Sequence, residues 1–460
     1  MTSTQRSLDV SSRHPTPTRT DWLISTLHSW AWNHGPTPEA LTAHPGQVGA
    51  LANLWATLKF LVSVVTSPIW VPTIAWRAAV NNKRAQHLSD QFPRQIQAIV
   101  AGRRPAPPAN KVAAVDRPIR MVITSDLHRC IPGRLNWPQR QHTAVLYEHM
   151  LRYYAESGWH LCENGDVEDF WIVGGSTYGA AYDTARIGGG ILARIGRRSL
   201  AVSNYISHLD RIIESNATLY TLLRDEFALA GRYHRTVGNH DDPLSVPEVA
   251  QRLETHLPGC NPADYLVLSR NDVVEGVICH GHHTDGWNAP GRANLGKLSA
   301  WAANTLIDVP RLDTPEGLPP SAATDYLVSG TASNKLISVN PTFGVTSSYD
   351  SMDEEILYEA MRTLGDHHPW LLAGHTHSPV FSPVSRTGES WTRYLNSGSG
   401  VTSRCVTAIE WDTLDGEPNP VLVAWYAHDD GRIERIQFVG GKPTLEIAQR
   451  DTIATIDTAP

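Results

Sequence analysis

"LLAGHTHSP", residues 371–379, sets two histidines, His375 and His377, one residue apart behind an apolar run and a glycine. The run "WLLA" (370–373) has strand length, so both imidazoles fall where a strand gives way to a loop. The arrangement recurs upstream. "IRMVIT" (119–124) leads into "SDLHRC" with Asp126 and His128, and "WHLCE" (159–163) into "NGDVED" with Asp166 and Asp169. "YHRTV" (233–237) leads into "GNHDD" with Asn239, His240 and Asp241, and "GVIC" (276–279) into "HGHHTD" with His280. Five expected strands thus each end in residues of metal-ligand type. In open α/β sheets the carboxyl ends of strands lie along one edge, so residues scattered from 126 to 377 can meet in one crevice. Gly165, Gly238 and Gly374 stand where each chain must turn sharply, a task suited to a residue without a Cβ.

Other runs fill out the architecture. "HTAVLYEHMLRYYAESGW" (142–159) spaces Val145, Leu146, Tyr147, Met150, Leu151 and Tyr154 as one helix face. "YLN" (394–396), "CVTAIEW" (405–411), "VLVAWYA" (421–427) and "IERIQF" (433–438) read as strands, with "DDG" (429–431) as the hairpin turn between the last two. Strand and helix alternate early and strands follow alone late, which implies a layered α/β domain whose second sheet is partly antiparallel.

The ordered blocks resemble those of the calcineurin-like metallophosphoesterases: D-x-H, G-D-x-x-D, G-N-H-D/E, a histidine followed by glycine, and G-H-x-H. The likeness spans residues 119 to about 440. It implies a four-layer αββα sandwich and a centre of two divalent transition-metal ions. In that pattern Asp126, His128 and His377 hold the first ion, Asp166 bridges, and Asn239, His280 and His375 hold the second. The wording "GDVEDFW" with "DLH", "GNHD" and "GHTHSP" is similar to the branch that contains the UDP-diacylglucosamine pyrophosphohydrolases. Residue 169 is Asp where purple acid phosphatases have a tyrosine ligand, and the block lacks the arginine of the protein Ser/Thr phosphatases.

The chemistry of these side chains agrees with such roles. Imidazole plus carboxylate suits Mn, Fe, Zn or similar ions better than Mg alone, Mn²⁺ being the ion expected with Fe, Zn or Co as alternatives, and a bridging carboxylate lets two dications sit about 3.5–4 Å apart. A hydroxide held between them is nucleophilic near neutral pH. His240 then stabilises phosphoryl charge or protonates the leaving oxygen, and the family resemblance implies Asp169 as the residue that orients it, with Asp241 as the fallback. His282, His283 and Asp285 extend the fourth block and read as supports of the ligands or as substrate-side groups. Arg129 either faces the substrate phosphate or lies on the surface. Arg186, Arg194, Arg197 and Arg198 form either an anion clamp or a solvated helix face.

The chain of 460 residues divides into a helical extension with a disordered start (1–101), a Pro-rich linker (102–117), the hydrolase domain (118–445) and a tail (446–460). Insertions at about 170–230 and 284–365 are expected to wall the substrate pocket. A net charge of −7 without long like-charge blocks points to no nucleic-acid arm. Five dispersed cysteines without C-x-x-C and a polar N-terminus fit a reducing cytoplasm. Six of the fifteen tryptophans lie before residue 100, and "FLVSVVTSPIWVPTIAW" (60–76) is apolar but shorter than the ~20 residues of a spanning helix. That region reads as a brace on the main domain, or as a peripheral membrane contact through residues 50–80.

The function expected is dinuclear-metal-dependent hydrolysis of a phosphodiester or pyrophosphate bond in a small phosphorylated molecule, a nucleotide or a lipid-linked substrate. A nuclease, a non-catalytic scaffold and a membrane-peripheral adaptor are the alternatives.

Overall fold

The structure is a computed structural model. It describes residues 91–103, 111–131, 143–171, 179–180, 182–183, 196–285, 288–289, 296–297, 339–340, 345–346, 357, 362, 364–365, 368–377, 379–381, 393–401, 405–428, 431–439 and 446–455.

Its strands are β1 (Val112–Asp116), β2 (Arg120–Thr124), β3 (His160–Asn164), β4 (Tyr233–Thr236), β5 (Tyr265–Arg270), β6 (Val273–Ile278), β7 (Val339–Asn340), β8 (Val345–Thr346), β9 (Trp370–Ala373), β10 (Pro379–Phe381), β11 (Tyr394–Ser397), β12 (Cys405–Asp412), β13 (Val421–Ala427), β14 (Arg432–Val439) and β15 (Glu446–Thr455). The helices are α1 (91–100), α2 (Thr143–Glu156), α3 (Arg198–Ser215), α4 (Ala217–Leu222) and α5 (Pro247–His256). One sheet runs β1-β5-β6-β9-β11-β10 and the other β15-β14-β13-β12-β2-β3-β4; β7 and β8 form a separate pair.

Period-two side-chain alternation builds the layers. Met121 and Ile123 of β2, Ile409 and Trp411 of β12, and Leu422 and Ala424 of β13 share one apolar layer with Leu266, Leu268, Ile278 and Leu372 of the other sheet. Val122, Val406, Ala408, Val423 and Trp425, from the opposite face of those strands, pack instead on α2 through Leu146, Tyr147, Met150 and Tyr154. The outer face of the first sheet, with Tyr265, Val267, Val277 and Leu371, is covered by Phe92, Ile96 and Ile99 of α1. The result is a mixed α/β sandwich of two sheets with helices outside both.

The expected core strands coincide with observed ones to within a residue or two, apart from β6, which begins three residues before the expected 276–279 run. Val145 does not join the buried face of α2 and is 55% exposed. Two outer boundaries are corrected. Residues 112–116, read as linker, form β1 and pair in parallel with β5. Residues 446–455, read as tail, form β15 against β14. Both are edge strands, and neither the short VAAVD nor EIAQRDTIAT alternates cleanly enough to read as a strand. Most of the N-terminal region, including the apolar run 60–76 and the tryptophans, lies outside the described residues. No described helix is long and apolar enough to cross a membrane.

β2, β3 and β4 run parallel, as do β6 and β9, so their carboxyl ends gather in each sheet. Hydrogen bonds stitch those ends together across the sandwich. Ser125 after β2 meets Ser397 of β11 at 2.7 Å, and Asn164 Nδ2 donates to the Cys279 carbonyl at 3.0 Å.

One pH response follows from the sheet itself. His160 and His234, on neighbouring strands, stack at 5.2 Å with ring nitrogens 2.9 Å apart. Burial first, and then Arg117 with Arg232 for the one and His160 with Arg117 for the other, push both down to about 4. An unfolded imidazole titrates near ~6.5, so the unfolded chain binds more protons between those values and stability falls as pH drops through that window. Urea unfolding of His234→Gln between pH 6.5 and 4 should therefore lose about 2–3 kcal/mol less than the native chain. Parallel curves for the two proteins would refute this.

Candidate metal centre

The loops after β2, β3, β4, β6 and β9 bring Asp126, His128, Asp166, Asn239, His280, His375 and His377 to the common edge of both sheets. Three clusters there could hold a metal ion: Asp126 with His128 and His377, Asp166 with His280 and His375, and His128 with Asp166 and His240. His377 Nε2 lies 3.2 Å from both Asp126 Oδ1 and His128 Nε2. His280 Nε2 lies 3.3 Å from Asp166 Oδ2. Neighbouring donors around an ion with ~2.1 Å bonds stand about 3.0–3.4 Å apart, so these spacings match shared coordination.

The backbone supports that reading. Asp126, His128, Asp166, His375 and His377 all have positive φ, between 45° and 72°. Left-handed backbone at non-glycine residues is unfavourable and collects at functional sites. Five of the eight such residues in the described structure are expected ligands. The glycines relieve crowding as well. At Gly165, φ is +76°, and an added Cβ would also meet the His280 ring at 2.6 Å. Gly238 has no such φ, yet a Cβ there would collide with the Asp166 carboxylate. Its role is therefore close approach rather than the sharp turn expected.

Partners behind the ligands fix which atom faces inward. Asp126 Oδ2 accepts from Ser125 Oγ at 2.5 Å and from the His375 amide at 2.9 Å, leaving Oδ1 without a hydrogen bond. Asp166 Oδ1 accepts from the His240 amide at 2.7 Å, so Oδ2 is the oxygen turned toward His280. His280 Nδ1 contacts the Asn164 carbonyl at 2.9 Å, a bond that requires the proton on Nδ1 and leaves Nε2 as the lone-pair donor. His280 Nε2 and Asn239 Oδ1 are buried without hydrogen-bond partners. Buried polar atoms without a hydrogen bond are rare, and here three belong to expected ligands. The donor set is one that could hold a metal ion.

Electrostatics agree. Burial alone would raise the carboxyls, but His280 and His377 hold Asp126 below the usual carboxylate range. His280 with His240 holds Asp166 far lower against the same opposition. Burial disfavours charge on His280, yet Asp166 and Asp126 lift it to about 9. Carboxylates and imidazoles here hold one another in their charged forms.

His240 lies beside the cluster. Its Nδ1 is 3.0 Å from Asp169 Oδ2, and that oxygen is also 2.9 Å from His128 Nδ1. One carboxylate thereby orients a candidate ligand and the candidate acid together. The Trp171 indole stacks on the His240 ring at 4.4 Å, and its amide donates to Asp169 Oδ1 at 2.8 Å. Against burial, Asp169 and Asp166 raise the imidazole to about 9.

Several expected roles change. Asp241 does not touch the His240 ring: its oxygens accept from the amides of Val167 (2.9 Å) and Gly238 (2.5 Å) and pair with Arg235. Arg129 faces neither substrate nor solvent. It is buried against Glu163 and Glu168 between the rings of Tyr147 and Tyr220. Arg198 is exposed and spans to Glu248 of α5 at 2.8 Å, and Arg197 is the exposed residue preceding α3, so neither forms part of the cluster. Arg186 and Arg194 lie outside the described residues. His282 is buried beside His280 and His375, with ring centroids at 5.3 and 6.1 Å, and joins none of the ion-holding groups.

Sequence reasoning passed over Glu163, Glu168 and Arg235, which with Arg129 and Asp241 form a buried charge cluster beneath three ligand loops. Charged residues inside the expected strands "WHLCE" and "YHRTV" were the available signal. Lys297, from the second insertion, pairs with Asp242 at 2.6 Å and lies 5.8 Å from the Trp171 ring, a contact no local pattern announces. The chain matches no protein-family model and no curated protein. The site itself therefore carries the functional reading.

Proposed function

We propose that this chain is a dinuclear-metal-dependent phosphoester hydrolase, acting on phosphodiester or pyrophosphate bonds, with the αββα sandwich of the calcineurin-like metallophosphoesterases. The observation that supports it most is the approach of buried Asp126 Oδ1 to His280 Nε2, 3.9 Å apart and each without a hydrogen bond, at a locus shared with Asp166, His128, His375 and His377 and flanked by the Asp169–His240 pair. Asp126, His128 and His377 would hold one cation, Asn239, His280 and His375 the other, with Asp166 between them. When bound, such ions supply Lewis-acid polarisation of the phosphoryl group and lower the pKa of water.

The chain's own residues do the rest. Asp169 accepts a hydrogen bond from His240 Nδ1–H and so orients the ring. In the imidazolium form Nε2–H is the donor available to a phosphoryl or leaving-group oxygen, with Asp169 supporting the charge. Trp171 covers one face of the ring and restricts water and rotation there. The cluster of Arg129, Arg235, Glu163, Glu168 and Asp241 holds the loops carrying Asp166 and Asn239 in register. Buried charges arranged this way fix geometry more than they add stability.

The test is hydrolysis of bis(p-nitrophenyl) phosphate and of the matching monoester by metal-stripped protein before and after adding Mn²⁺. Mn²⁺-dependent turnover of the diester is the expected result. Absence of turnover with any of Mn²⁺, Fe²⁺, Zn²⁺ or Co²⁺, despite bound ions, would favour a binding role instead.

A further inference from the structure

We infer that Asp285 is the positioning residue for His375 and thereby sets the affinity of one of the two cations, an inference that rests on the dinuclear reading above. Asp285 belongs to no part of the motif that names the ligands. Its carboxylate reaches the site because Gly281, at φ +111°, reverses the chain after β6 and His282–Thr284 complete a tight turn. The Asp285 amide donates to the His282 carbonyl at 3.2 Å, and the Ala289 amide donates to the Asp285 carbonyl at 2.9 Å. Asn288 Nδ2 donates to Asp285 Oδ2, so the carboxylate is itself held.

From that position Asp285 Oδ2 lies 3.2 Å from His375 Nε2. The His375 backbone is already fixed by its amide bond to Asp126 Oδ2 at 2.9 Å, while its ring makes an edge contact with His280 at 5.2 Å. One nitrogen of His375 groups with Asp166 and His280; with Nε2–H engaged by Asp285, that role falls to Nδ1. A carboxylate behind a ligating imidazole fixes its tautomer and raises its basicity, and losing one weakens metal binding by roughly 10–100-fold. His283, the other histidine of the block, stacks on Tyr265 at 4.9 Å and does not compete for this role.

The test is calorimetric titration of the metal-stripped full chain with Mn²⁺. The native protein should take up two ions. Asp285→Ala should weaken one of the two by about 10–100-fold and leave the other unchanged. Asp285→Asn, which can still accept from Nε2–H, should recover most of that loss. In a His375→Ala background Asp285→Ala should add less than about twofold, because both act on one interaction. Two affinities within twofold of native in Asp285→Ala would overturn the inference, as would equal weakening of both with a lowered metal-free melting temperature, the sign of a loosened loop. Uptake of fewer than two ions by the native chain would overturn the dinuclear reading and this inference with it.

Discussion

Asp166→Asn should lower Mn²⁺-supported diester turnover by at least about 10³-fold, equivalent to ~4 kcal/mol of barrier. The substitution is nearly isosteric and keeps an oxygen for the His240 amide, now 2.7 Å from Oδ1. What it removes is the charge on Oδ2, the oxygen 3.3 Å from His280 Nε2 and 4.0 Å from His128 Nε2. Asp166 belongs to two of the three groups that could hold an ion and in the proposed centre lies between both cations, whereas His377 belongs to one group. Steady-state rates at saturating Mn²⁺, with circular dichroism to show an intact fold, check this. Retention of more than a tenth of native activity would remove Asp166 from the centre of the mechanism.

The second large effect concerns His240. His240→Ala should reduce turnover by about 10²–10³-fold for a diester with a poor alkoxide leaving group, and by distinctly less for the p-nitrophenyl ester, whose leaving oxygen needs no proton. Cation stoichiometry should be unchanged, since neither proposed cation position draws on His240, which is held by Asp169 and stacked on Trp171. Equal losses on the two substrates would make His240 a group that stabilises phosphoryl charge rather than a proton donor. Asp169→Asn should be the more damaging change for metal loading, because the same Asp169 oxygen also contacts His128 Nδ1.

The site was more legible in the sequence than the sheet edges. Each ligand block is local: an apolar run sets a strand, a small residue lets the chain approach, and a polar pair follows. Asp126, Asp166, Asn239, His280, His375 and His377 could therefore be placed one strand at a time. β1 and β15 were missed because "VAAVD" and "EIAQRDTIAT" owe their strand conformation to pairing with β5 and β14, a nonlocal cause. Charge misled for a related reason. Arg129 and Arg198 look alike in sequence, yet one is buried between carboxylates and the other is 59% exposed on a helix. Burial of a cation depends on which carboxylates the fold brings near, and Glu163, Glu168 and Asp241 come from three loops or strands. Asp241 illustrates the limit most clearly, since its neighbour Asp242 turns instead to Lys297, more than fifty residues away.

The central claim is that two cations share Asp166. Anomalous diffraction at the Mn edge from crystals soaked in Mn²⁺ tests it most directly. Two peaks about 3.5–4 Å apart are expected, one beside Asp126, His128 and His377, the other beside Asn239, His280 and His375, with Asp166 between them. A single peak, or peaks remote from Asp166, would contradict the account.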